Sequence, residues 1–247
     1  MPAVSSGASA EGPPLEDPPV GPFAFNRGDP PPFALARLPI GRHGLPREVV
    51  QANQRNRLLA GAIDAIGERG YAAGSVAGII KAAGVSRNTF YEHFADREAC
   101  FLAAYEAIVA WLEREGAAAA AGAGDWPGAV RAAVAKTLAL LGADLGVARL
   151  LTVEISLAGP AAAAAERALV DRLAAPLRLG RAEGPPNAGL SARLEPALIG
   201  GAFSLVARAV GAGQGDRLAE LASGITEFLL VPYLGAMAAA RAAGGRN

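Results

Sequence analysis

Apolar residues recur three and four positions apart along most of the chain, the period of helices with one buried face. Between Ser75 and Glu98 the pattern is densest. Ser75 suits the cap of a helix whose inward positions are Val76, Ile79, Ile80 and Ala83. Gly84 ends that helix, because the residue just past a helix often takes a positive φ, which penalises any residue with a Cβ. Val85 can plug the corner, and Ser86 caps a second helix in which Phe90 and Phe94 share the buried side. Arg87, Asn88, Tyr91 and Glu92 face elsewhere. Asp96 caps the next helix, with Glu98 in its first turn at the positive end of the helix dipole.

The same period predicts a helix from Arg55 to Arg69 before this segment. A long helix follows it through Phe101, Leu102, Tyr105, Ile108, Val109 and Leu112, fraying in the Ala and Gly run at 116–124. Asp125-Trp126-Pro127 opens another helix, with Asp as cap and Pro tolerated in the first turn. Asp144 marks a break before a helix from Val147 to Leu157, and Gly159-Pro160 stops that helix ahead of a segment over 161–179. Gly180 to Ser191 reads as a loop. Two helices near 192–212 and 216–242 close the chain, the second kinked at Pro232. Gly200-Gly201 fits a close helix contact, or reflects only a composition rich in Ala and Gly. The fold class expected is all-α.

Two short helices around a Gly-containing turn are the layout of a helix-turn-helix reader of DNA. The second helix is short and carries basic, amide and phenol groups on its free side. Those groups suit the major groove, where Arg reads guanine, Asn reads adenine and Tyr reaches a phosphate. Arg87, Asn88 and Thr89 are the expected base readers, and Tyr91, His93 and Arg97 the expected phosphate ligands. The two capping residues, Ser75 and Ser86, complete the candidate DNA-binding set on these helices.

This stretch resembles the DNA-binding domain of the TetR/AcrR (tetracycline-repressor-like) family of bacterial transcription regulators. The matching residues are Arg57, Leu58 and Leu59, Glu68-Arg69-Gly70-Tyr71, Ser75-Val76, Ala82-Ala83-Gly84-Val85-Ser86, Thr89-Phe90-Tyr91 and His93-Phe94. Two positions depart from the family pattern. Ile80 stands where such motifs carry Ala at a close helix crossing, and Arg97 replaces a phosphate-binding Lys while keeping its charge. The resemblance implies a helical second domain that binds a small-molecule effector and forms a homodimer through its last two long helices, here residues 192–240. It also implies a pseudo-palindromic double-stranded DNA operator, and most often repression. The runner-up is a helical ligand-binding or interaction protein with the same fold and negligible DNA binding.

Composition changes this picture in a few places. Of the 247 residues 52% are hydrophobic, ample for a core. The first 40 residues hold ten of the eighteen prolines and read as a disordered extension. The resemblance implies a basic arm and helix-turn-helix domain over 41–98 and an effector-binding and dimerisation domain over 99–247. Around Arg42 the segment from Leu38 to Arg47 resembles an extension of actinobacterial-type members; it is either an arm laying Arg42 in the minor groove or a solvated linker. The formal charge of zero argues against a strong non-specific nucleic-acid binder, although residues 41–100 hold eight basic and six acidic groups.

Cys100 is the sole cysteine, so no intrachain disulfide forms, and it fits a buried inert thiol better than a redox sensor. Neither a signal peptide nor an apolar run of membrane-spanning length is read here, and a cytoplasmic protein is expected. His43 and His93 make no metal pair, and no phosphate loop or nucleophile elbow is present, so neither an enzyme nor a cofactor is expected. For the effector, Glu154 shares a stripe with Leu150, Leu151 and Leu157. It needs a partner cation such as Arg208, a proton, a cavity, or a place at the edge of the stripe in reach of water. Tyr105, Trp111, Trp126 and Phe203 are candidate cavity walls or plain core.

Overall fold

A computed structural model describes residues 46–182 and 190–244, and every regular element among them is helical. The elements are α1 (Arg47–Arg69), α2 (Val76–Ala83), α3 (Arg87–His93), α4 (Arg97–Ala121), α5 (Trp126–Ala143), α6 (Leu145–Arg149), α7 (Pro160–Arg178), α8 (Leu194–Gly211), α9 (Ala222–Leu234) and α10 (Ala236–Ala242). The expected caps close their helices: Ser75, Ser86, Asp96 and Asp125 each accept a backbone N–H three residues on. Arg42 and residues 183–189 of the loop expected over Gly180 to Ser191 lie outside the described residues, and the start of that segment belongs to a 3-10 turn over Leu179–Ala182.

Helix α1 packs on α2, α4 and α6, so it joins the first three helices to the rest. Its start at Arg47 rather than Arg55 is not marked by a side-chain cap; Pro46 precedes it, and Val49 is exposed. The close crossing of α1 and α2 is at Gly61, where a Cβ would lie 2.8 Å from Ala83 N and Ile79 O. Ile80 is half-buried against the core and contributes none of the nearest atoms that meet Gly61.

Three other expectations are corrected. Helix α4 holds to Ala121 instead of fraying from 116, because Gly116 is buried against Ala133 and Thr137 of α5 and packing outweighs propensity. The segment 147–157 is not one α-helix: α6 passes into a π turn over Leu150–Glu154 and a 3-10 turn over Ile155–Leu157. The wider turn shifts the register, so Leu150 and Leu151 are buried while Leu157 is 65% exposed. Finally, Pro232 sits inside α9, and the chain breaks instead at Gly235, whose φ of 75° favours a residue without a Cβ.

Of the adjacent glycines, Gly201 meets the Phe228 ring of α9, 2.9 Å from a virtual Cβ, whereas Gly200 faces open space.

Candidate nucleic-acid interface

The turn between α2 and α3 is fixed from three sides. Ser75 Oγ accepts from Gly78 N at 3.1 Å and so holds the start of α2. Gly84, at φ 61° and ψ 40°, lets the chain leave α2 in the left-handed region, and Val85 N–H returns to Ile80 O at 3.2 Å. From α1, Arg57 donates through Nε and Nη2 to Ala83 O at 3.0 and 2.7 Å, and through Nη2 to Gly84 O at 2.6 Å. A guanidinium on the last carbonyls of α2 satisfies acceptors the helix leaves open and suits the negative end of its dipole. Sequence reasoning missed this task of Arg57; a basic residue on α1 with a polar-face neighbourhood gives no signal of its target.

Helix α3 then presents one side. Phe90 and Phe94 are buried, while Arg87, Asn88, Tyr91 and Glu92 are exposed, Tyr91 by 48%. Ser86 Oγ accepts from Thr89 N at 3.0 Å and pairs with Thr89 Oγ1 at 2.9 Å, so Thr89 is held against the cap and only half-exposed. The Arg87 guanidinium stands 5.7 Å from the centre of the Tyr91 ring.

Two expected phosphate ligands are placed differently. Arg97 is half-buried: its Nη1 donates to Tyr71 O and Gly74 O, both at 2.6 Å, and the guanidinium lies 4.1 Å over the Tyr71 ring. It braces the loop between α1 and α2. His93 is half-buried beside Phe94 with Nε2 3.5 Å from Gln54 Oε1. Burial first, and then the Arg55 charge, hold its imidazole below the ordinary 6.5, so at neutral pH it offers a neutral ring and no cation.

The six candidate effector residues do not share one cavity. Tyr105 is buried and lines a cleft of about 140 Å³ between α4 and α7, beside the Arg172–Glu113 ion pair. Trp111 is core. Trp126 stands edge-on to Tyr233 and donates from Nε1 to Pro176 O at 3.2 Å, which makes it a brace between α5, α7 and α9. Phe203 is half-buried on α8, and Arg208 is exposed. Glu154 is 2% exposed and does not pair with Arg208. Its Oε1 accepts from Arg149 Nε at 2.8 Å and its Oε2 from Tyr71 N at 2.6 Å, so it faces the first domain.

A larger cleft, about 320 Å³, lies between α1 and α6 and is lined by Asp64, Glu68, Asp144 and Arg149 among others. There Asp64 is pushed up to about 6 by burial, then by the charges of Asp144 and Glu68. A second buried carboxylate, Glu195 on α8, was not singled out by sequence although it stands among Leu194, Ala197 and Leu198. Arg181 grips it at 2.6 and 2.9 Å and the Tyr233 hydroxyl donates to it at 3.1 Å; the Arg181 hydrogen bonds foremost hold its carboxyl below the usual range. Cys100 is fully buried, and burial pushes its thiol up to about 12, the inert state expected. Among the described residues no cluster of three or more His, Cys, Asp or Glu could hold a metal ion.

Residues 58–104 match the family described as bacterial regulatory proteins, tetR family. The comparison with curated proteins yields no match. Among solved structures the chain is similar to the fatty acid degradation regulator FadR from Bacillus halodurans, at 22% identity over 71% of this chain and 97% of that one, with a TM-score of 0.64. FadR from Bacillus subtilis in complex with stearoyl-CoA is similar at 23% identity over 72% and 97%, with a TM-score of 0.62. A TetR-like regulator from Rhodococcus sp. RHA1 matches at 19% identity over 76% and 97%, with a TM-score of 0.52. The likenesses give the described residues the all-α fold of these regulators, with a helix-turn-helix in α2 and α3 ahead of the longer C-terminal helices.

Proposed function

We propose that this protein is a cytoplasmic, dimeric transcriptional repressor that reads a roughly palindromic operator with α3 and leaves it when a small, mostly apolar effector binds. The observation that carries the reading is the division of α3: Phe90 and Phe94 fasten one side to the core while Arg87, Asn88 and Tyr91 stand exposed on the other. In this reading Arg87, Asn88 and Thr89 discriminate bases and Tyr91 holds a phosphate. Ser75 and Ser86 lie beside the backbone at the two helix starts. His93 contributes only a neutral hydrogen bond, and Arg97 acts through the loop it braces. Arg42 is proposed to reach the minor groove on sequence grounds alone.

Dimerisation is supported by α8, which is apolar along its length although only Glu195, Leu198, Ile199 and Val206 of its eighteen residues are buried within one chain. Its outer positions Ala197, Gly200 and Ser204 are exposed, and so are Phe228 and Val231 of α9. A four-helix contact with a second copy would cover this surface. For the effector, the Bacillus subtilis FadR bound to stearoyl-CoA makes a long-chain acyl thioester the first class to try.

The test is selection of genomic fragments by the full chain, followed by native mass spectrometry with stearoyl-CoA. Enrichment of a palindromic site, and its release by the thioester, is the expected result. Binding of the thioester with no enriched DNA would favour the ligand-binding alternative.

A further inference from the structure

The loop Gly70–Gly74 between α1 and α2 is held from two sides by residues outside the helix-turn-helix. From above, the Glu154 carboxylate takes the Tyr71 amide at 2.6 Å and packs on Gly70, where a Cβ would stand 3.3 Å from both carboxylate oxygens. From the side, Arg97 at the start of α4 takes Tyr71 O and Gly74 O, and the Tyr71 ring lies between Arg97 and Phe101, whose centroid is 4.8 Å away. Ser75, the cap of α2, follows this loop directly. A buried carboxylate is stable only with charge-assisted partners; Arg149, one turn back, supplies the charge.

The π turn Leu150–Glu154 puts Glu154 in this place. Such turns are uncommon and occur often at functional sites. A slip of one residue into α register would turn the side chain by about 100° and carry the carboxylate off the amide.

Resting on the regulator reading above, we propose that Glu154 is the positioning residue through which the C-terminal helices set the orientation of α2 and α3. Arg97 is its counterpart from α4. The π turn is then the element whose register decides whether the reading head is fixed or loose, and a change of packing around residues 150–154 reaches the DNA-binding helices through one carboxylate.

The experiment pairs spin labels at Glu92→Cys on α3 and Ala161→Cys on α7 in the full chain, diluted with unlabelled chain; buried Cys100 stays unlabelled. Operator affinity is measured on a fragment selected by the wild type. Wild type should give one narrow distance distribution. Glu154→Ala should broaden it and weaken operator binding roughly 5- to 150-fold, the range of ordinary coupling between sites. Glu154→Gln, which keeps an acceptor for the Tyr71 amide, should lie between. Leu177→Ala, a buried truncation on α7, should lower the melting temperature without broadening the distances. Equal widths in wild type and both Glu154 variants would overturn the proposal, and so would broadening with unchanged operator affinity. A wild type that enriches no DNA would sink the regulator reading instead, while the distances still decide whether Glu154 orients α3.

Discussion

Gly67 of α1 and Gly146 of α6 meet backbone to backbone: a Cβ on Gly67 would lie 2.7 Å from the Gly146 Cα. This contact sets how closely the C-terminal helices approach α1, beside the loop that Glu154 holds. Gly67→Ala places a methyl where no side chain can rotate away. Overpacking of about 1–3 kcal/mol opposes the gain of about 1 kcal/mol from Ala over Gly in a helix. A net loss of about 1 kcal/mol is expected by urea unfolding, with weaker operator binding. An unchanged midpoint would mean that the two helices are free to separate.

The surface proposed for pairing on α8 and α9 distinguishes two substitutions that look alike in sequence. Phe228 is 40% exposed and Leu198 only 6%. Phe228→Glu should split a dimer into folded monomers by light scattering at micromolar concentration, whereas Leu198→Glu, which buries a charge, should unfold the chain. A wild type that is monomeric and still binds its operator tightly would remove the dimer from the account.

Asp64 makes stability depend on pH. Its carboxyl is raised from 3.8 to about 6 in the fold, so the folded state binds the proton more tightly than the unfolded chain. The stabilising effect is complete below about pH 4 and is lost as pH rises through about 6. Asp64→Asn should therefore stabilise the protein at pH 7.5, by about 1 kcal/mol once solvent around a half-buried group is allowed for. Melting curves of both proteins should converge as pH falls towards 4. A constant difference across that range would show that Asp64 does not titrate there.

Arg57→Ala removes the cation from the Ala83 and Gly84 carbonyls. A loss of about 1–2 kcal/mol is expected from hydrogen bonds to a charged donor, with faster amide exchange across α2 and the turn. Arg57→Lys should recover only part of it, since an ammonium cannot reproduce the planar fork.

The helix-turn-helix was legible because every signal in it is local: caps at Ser75, Ser86 and Asp96, a left-handed Gly84, and Phe90 and Phe94 one turn apart. What could not be read was contact between distant segments. Glu154 was visible as a carboxylate on an apolar face, but its partner Tyr71 N is a backbone group 83 residues away, and backbone amides leave no mark in a sequence. Arg97 carried the right charge for a phosphate and is engaged by two carbonyls instead. The π turn was hidden for the related reason that its residues, Leu-Leu-Thr-Val-Glu, fit an α-helix equally well. Likewise the break at Gly235 rather than Pro232 depends on a positive φ that a glycine permits but does not require.

The proposed regulator depends above all on sequence reading by the exposed side of α3. The most direct measurement of that reading is the affinity of wild type, Asn88→Ala and Tyr91→Phe for a selected operator and a set of its single-base variants. Asn88→Ala should lose about 1–3 kcal/mol on the parent site and flatten the preference at one base pair in each half-site. Tyr91→Phe should weaken every variant alike. Uniform loss for Asn88→Ala across all variants, or no loss in either protein, would contradict the account.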